Sequence, residues 1–330
     1  MFTLRSLHAL AARLLPPAFG ALEEAPLGEL ARFPACFGWL GVEARLDDAA
    51  ALDLAVSLEG SPGARRALVR ALPALEGATA PNWRPTLERL GAWADGVDDP
   101  RPSAIWLEVD RGREASPPIV FLTTLGLSGA EVVALLDGLA PGRAGPARRL
   151  VAWWVGRGAV HHLADLAPRG LDAVRIVGSL AAADLEGLLA RLGWGPDRRA
   201  LQGLARALGE LADPWTLDVD LGEAARPRLG VECHLPTDPA HDRRWRSILA
   251  HAAACGASPA KLRALDGWPK RHVLGDMITI HRHLHLKFTF TGDAGPSAKA
   301  YLGVRPEAPA RAPRGRRAEA MDRAASPGRP

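Results

Sequence analysis

Five repeats of the order helix–strand–strand–helix predict an α/β protein of the α+β type, with ten antiparallel strands and an outer layer of helices. Three observations carry this expectation. Period-2 alternation recurs in pairs of short segments, a short turn joins most pairs, and helical patterns stand before and after each pair. Residues 215–236 show it most plainly. Leu217, Val219 and Leu221 alternate with Thr216, Asp218 and Asp220. Leu229, Val231, Cys233 and Leu235 then alternate with Arg228, Gly230, Glu232 and His234.

The elements follow in order. Residues 3–14 and 27–33 read as helices, broken at Pro16–Pro17. Strands are expected over 41–46 and 51–59, then a helix from Ser61-Pro62 to about Leu72. The second unit has a helix over 85–94, strands over 104–111 and 118–124, and a helix capped by Ser128 that runs to about Leu139. The third has a helix over 147–155, strands over 159–166 and 171–180, and a helix over 182–192 that stops at Gly193. Its AVHHLADL segment also fits a helix, and as a strand it would send His161 and His162 to opposite faces. Helices over 198–211 and 239–254 flank the fourth pair. A short helix after Ser258-Pro259 opens the fifth, whose strands run through His283–Thr291 and 298–305.

Each hairpin has one apolar side, which the helices need to cover. The polar sides meet water if the sheet stays open. If the ten strands close, the edges vanish and the polar sides line an interior chamber. The expected organisation is one domain over 1–305 and a disordered Pro/Ala/Arg-rich tail over 306–330.

Composition limits the function classes. Hydrophobic residues make up 48% and charged residues 24%, and no apolar run reaches the length of a membrane helix. Leu4, Leu7, Leu10 and Leu14 fall at helical spacing, so the N-terminus reads as an amphipathic helix rather than a targeting segment. Three cysteines, Cys36, Cys233 and Cys255, form no CxxC pair, which points to a reducing compartment and a cytoplasmic location. The net charge is +4, but six arginines in the tail against Glu307, Glu319 and Asp322 supply +3 of it. A nearly neutral body argues against nucleic-acid binding.

Five such units around a ten-stranded antiparallel barrel resemble the aromatic prenyltransferases, the PT-barrel or ABBA fold, over about residues 20–306. Two short segments add to the likeness. The strand WLEVD, which carries Trp106 and Glu108, is similar to the acid-bearing early strand of the indole prenyltransferases. Lys299-Ala300-Tyr301 is similar to the Lys-x-Tyr strand that grips diphosphate in that family. The resemblance implies transfer of a prenyl group from an allylic diphosphate to an aromatic or peptide acceptor. It gives Glu108 the role of acceptor-side base.

The residues themselves fit such chemistry. Arg175, Arg228, Lys287, Lys299, Tyr301 and Arg305, joined by His283 and His285, fall on the polar faces of their strands. Convergent cations and a hydroxyl suit a diphosphate leaving group. Trp106 and Trp215 are candidates for stacking on substrate, or equally for packing beneath a helix. Asp218 and Asp220 share a face and could hold Mg²⁺, the one cofactor this reading implies. Their competing expectation is ion pairing with the basic set. His281, His283 and His285 alternate on one strand as a metal pair without a visible third ligand. One tyrosine in the whole chain makes a thin shield for a carbocation. The alternative is a non-catalytic barrel that binds a small molecule or peptide.

Overall fold

Alternation alone leaves open whether the polar faces meet water, and the sheet answers by closing. In a computed structural model, the structure describes residues 3–22, 30, 33, 37–49, 51–78, 81–95, 104–110, 117–141, 145–194, 198–208, 214–222, 228–234, 243–269, 271–274, 278–291 and 295–307. The first unit comprises α1 (Leu4–Leu14), β1 (Phe37–Arg45), β2 (Leu52–Glu59) and α2 (Pro62–Ala78). The second comprises α3 (Arg84–Asp95), β3 (Ala104–Val109), β4 (Ile119–Thr123) and α4 (Gly129–Leu139). The third comprises α5 (Gly145–Val155), β5 (Gly158–Asp165), β6 (Val174–Leu180) and α6 (Leu185–Arg191). The fourth comprises α7 (Arg198–Leu208), β7 (Trp215–Leu221), β8 (Arg228–His234) and α8 (Arg243–Ala254). The fifth comprises α9 (Pro259–Leu265), β9 (Arg271–Leu274), β10 (Ile278–Phe290) and β11 (Ser297–Glu307).

Strands β1 to β8 pair in chain order, β8 pairs with β10, β10 with β11, and β11 with β1. Ten strands therefore form a closed antiparallel ring. β9 stands outside it and pairs only with the first residues of β10. The apolar faces point outward. Leu40, Val42, Leu54, Val56, Leu217, Val219, Leu286 and Leu302 are all fully buried in one core shared with the helices. Trp154, Trp245 and Trp268 are the largest fully buried side chains in that layer. Ser128 and Glu131 form a reciprocal cap that fixes the start of α4.

The seam between the fifth and first units has its own fastening. Leu46 N–H donates to the Ala298 carbonyl, and Ser258 N–H donates to the Leu46 carbonyl at 2.7 Å. The Lys261 ammonium on α9 donates to three carbonyls at and just after the end of β1, those of Arg45, Asp47 and Ala49, at 2.9, 2.6 and 2.6 Å. Its three donors are thus all used by backbone carbonyls.

Several boundaries differ from expectation. β1 begins at Phe37 rather than at residue 41, because Phe37 and Trp39 continue the pairing with β2 on either side of an irregularity at Gly38. β9 lacks alternation and gave no signal. The third pair is indeed two strands. β11 reaches Glu307, two residues past the expected domain end. The rest of the expected tail, and all of the expected helix over 27–33 except Leu30 and Phe33, lie outside the described residues. Among the described residues no helix is long and apolar enough to cross a membrane.

Lys261→Ala should leave three carbonyls short of a donor and lower stability by about 1–3 kcal/mol. Urea unfolding checks this; an unchanged midpoint would show that the seam holds without the lysine.

Candidate functional site

Closure brings the polar faces of all ten strands together, and their charges neutralise one another there. The centre is Asp218 on β7, fully buried. Its Oδ2 lies 2.6 Å from Arg228 Nη1, 3.0 Å from Lys287 Nζ and 3.6 Å from Arg175 Nε. Three cations from β6, β8 and β10 thus converge on one carboxylate oxygen. Arg175 also forms a bidentate pair with Asp220 at 2.6 and 2.9 Å. That geometry follows from register, because Arg175 stands opposite Asp220 across the β6–β7 pair. Arg228 reaches Thr289 at 3.1 Å, and Lys287 also reaches Glu232 at 3.3 Å.

Glycine makes the centre sterically feasible. Asp218 lies opposite Gly230, where an added Cβ would sit 1.5 Å from Asp218 Oδ1 and 2.7 Å from Lys287 Cε. Only a residue without a side chain lets both charges cross the strand here.

A second group lies around Tyr301 on β11. Its ring stacks on His285 with centroids 4.3 Å apart and planes 9° apart, and the Lys287 ammonium lies 5.8 Å over its face. Glu43 of β1, opposite Tyr301 in register, takes the Lys299 ammonium. Glu108 on β3 lies between two guanidiniums, 2.9 Å from Arg169 and 3.6 Å from Arg175. Arg169 also holds Asp110 through two hydrogen bonds of 2.6 and 2.5 Å.

The electrostatics follow from burial and pairing. Burial alone pushes the Glu43 carboxyl up, but Lys299 and Lys287 outweigh it and hold the pKa at about 2. Burial likewise opposes ionisation of Asp218, and Lys287, Arg228 and Arg175 together drive its pKa well below the usual range. Burial and the Glu43 charge push the Tyr301 hydroxyl far up, so it stays a donor. Burial, then His234, lowers His285 to about 3, which keeps the imidazole neutral.

No protein-family model matches the sequence, and no curated protein matches it. Solved structures do match in shape, and three of them illustrate the likeness. The apo form of the prenyltransferase PriB superposes with a TM-score of 0.51 at 17% identity, over 89% of this chain and 87% of that one. The 5-dimethylallyltryptophan synthase of Streptomyces coelicolor gives 0.50 at 18% identity, over 91% and 95%. AnaPT of Neosartorya fischeri gives 0.52 at 15% identity, over 89% and 85%. The fold is the PT barrel.

Within that barrel, Arg175, Arg228 and Lys287 meet at one level of the lumen. Lys299 and Tyr301 lie next to them, since Lys287 and Lys299 stand opposite each other across β10 and β11. Arg305 is exposed and sits over Trp39 at 5.8 Å, away from the cluster. Trp106 is on the lumen face, in edge contact with Trp39 at 6.1 Å.

Trp215 is a correction. It belongs to the buried outer core, in phase with Leu217 and Val219, and does not reach the lumen. Its likeness to Trp106 is one of position in the unit, but the two residues have opposite phase. Asp218 and Asp220 are a second correction. Arginine and lysine side chains take Asp218 Oδ2 and both oxygens of Asp220. The competing expectation of ion pairing describes them. A third concerns His161 and His162. A β-bulge between Val160 and His162 puts both imidazoles on the lumen face, where they meet Ser179 Oγ at 3.1 Å and Thr123 Oγ1 at 3.3 Å.

The sequence reading missed Glu43, Trp39, Arg169 and His234. Glu43 and His234 alternate correctly and could have been selected. Trp39 fell before the expected start of its strand. Arg169 sits in a short turn after β5, where no periodicity marks it.

Two predictions follow from this geometry. Gly230→Ala should push Asp218 and Lys287 apart and destabilise the fold by about 1–3 kcal/mol, read from urea midpoints; an unaltered midpoint would contradict the close crossing. The second concerns pH. Glu43 binds its proton near 4.5 when unfolded and near 2 when folded. Its contribution is therefore complete above pH 4.5 and lost as pH falls through 2. Stability should drop over that window, and Glu43→Gln should make the drop shallower; parallel curves would overturn the assignment.

Proposed function

We propose that this chain transfers a prenyl group from an allylic diphosphate to an aromatic or peptide acceptor inside the barrel. The observation that supports it is the convergence of Arg175, Arg228 and Lys287 on one point of a closed polar lumen, beside the single tyrosine. The names of two structures of the same fold, a prenyltransferase and a dimethylallyltryptophan synthase, agree with this class of reaction and make a tryptophan-like acceptor the first to test.

In this reading the carbon–oxygen bond of the donor breaks, and the leaving diphosphate is held by the three cations with Lys299 and Tyr301 beside them. The Tyr301–His285 stack bounds the donor region beside these cations. An aromatic carbon of the acceptor attacks and forms the new carbon–carbon bond. The ring proton then passes to Glu108, which stands as a carboxylate between Arg169 and Arg175 and restores the ring. Trp106 and Trp39 offer the acceptor an aromatic wall, and Arg305 sits toward the exposed end of that wall. Mg²⁺ takes no part.

A specific observation favours a second reading. Each of the three central cations already has a carboxylate partner, so an entering diphosphate competes with Asp218, Asp220 and Glu232 for them. A barrel with a self-neutralised lumen would instead bind an uncharged molecule without turnover.

Calorimetric titration with a non-hydrolysable allylic diphosphate separates the two. The enzyme reading predicts saturable binding that Mg²⁺ does not change and that Lys287→Ala or Arg228→Ala weakens by about 10- to 100-fold. No heat under either condition would remove the diphosphate site and leave the binding barrel.

A further inference from the structure

One cluster of ligating side chains in the barrel takes no part in the proposed reaction as a group. Glu232 and His234 lie two apart on β8 and share its lumen face. His285 on β10 stands directly opposite His234 in register. One ligand atom from each of the three lies within 4.8 Å of the other two. The carboxylate Oε2 of Glu232 is 3.1 Å from His234 Nε2, and the two imidazole rings are 4.3 Å apart at 31°.

From this arrangement we infer that Glu232, His234 and His285 form a two-histidine, one-carboxylate site for a divalent transition metal of the zinc class.

Ligand chemistry supports the class. Two imidazoles and one carboxylate suit zinc and its neighbours in the first transition row rather than Mg²⁺ or Ca²⁺, which take oxygen. A metal bonded at about 2.1 Å to each ligand needs its donor atoms about 3–3.5 Å apart, which small side-chain rotations supply here. A three-ligand set leaves at least one position open to water or another oxygen donor.

The surroundings are arranged for this role. Glu232 divides its two oxygens. Oε1 faces Lys287 at 3.3 Å and Oε2 faces His234. Lys287 has a closer carboxylate in Asp218, at 3.0 Å, so the ammonium keeps a counter-charge when Glu232 turns to a metal. Stacking on Tyr301 on one side and His234 on the other fixes the His285 ring. His234 is half exposed, which gives an ion access. The site differs from the expected HxH pair. His283 packs on Trp39 and His281 pairs with Glu307, and neither turns toward Glu232.

The experiment uses the full chain, stripped with a chelator and without an affinity tag. Zn²⁺ is titrated against a chromophoric competitor. One ion per chain should bind, and His234→Ala should weaken it by at least about 10- to 100-fold, with His281→Ala unchanged. Unaltered affinity in His234→Ala, or no binding in competition, would overturn the site. Because His285→Gln disturbs the Tyr301 stack and could unfold the chain, Co²⁺ bound to the wild-type protein provides the second arm. X-ray absorption should show two imidazoles and oxygen ligands, and any other imidazole count would overturn the assignment. Neither arm reads prenyl transfer, so the site can fail or stand independently of the proposed reaction.

Discussion

Asp218 Oδ2 carries the electrostatic weight of the barrel. A ring of ten strands with apolar outer faces must turn its polar faces inward, and charges placed there lose most of their hydration. Arg175, Arg228 and Lys287 are acceptable in that interior because they share one carboxylate and because Asp220 and Glu232 complete the balance. Removing one member would strand the others, since an unpaired buried charge is far more costly than a matched set is stabilising. Gly230 is part of the same constraint, because the charges meet only where a side chain is missing.

The same network bears on function. A lumen that satisfies itself is a stable interior, whereas a lumen that binds an anion must exchange one counter-ion for another. The site has the means for that exchange. Its cations come from three different strands and each contacts more than one carboxylate. No cation depends on a single partner when an anion displaces a carboxylate. The Tyr301–His285 stack lies beside this region.

Much of the fold was legible because period-2 alternation marks faces residue by residue. It placed Asp218, Asp220, Arg228, Lys287, Lys299 and Tyr301 on polar faces before any strand had a partner. Pairing was not legible in the same way. That Arg175 meets Asp220, or that His234 meets His285, is decided by cross-strand register, which alternation within one strand does not fix. A bulge adds a residue without any compositional mark, and this is why His161 and His162 both reach the lumen. Trp215 shows the opposite case. Its phase with Leu217 assigns it to the outer face, which the packing of Trp215 in the outer core matches. Arg169 and β9 lie in segments with no period, so sequence pattern had nothing to report.

The proposed function makes this barrel an enzyme and not only a chamber. Phosphorus NMR of dimethylallyl diphosphate incubated with the protein and free tryptophan or tryptophan-containing peptides tests it most directly, with mass spectrometry of the acceptor. The account predicts release of inorganic diphosphate together with an acceptor heavier by one prenyl group, both lost in Glu108→Gln while donor binding persists. Donor that binds and remains intact with every acceptor would contradict it and leave the lumen as a binding site alone.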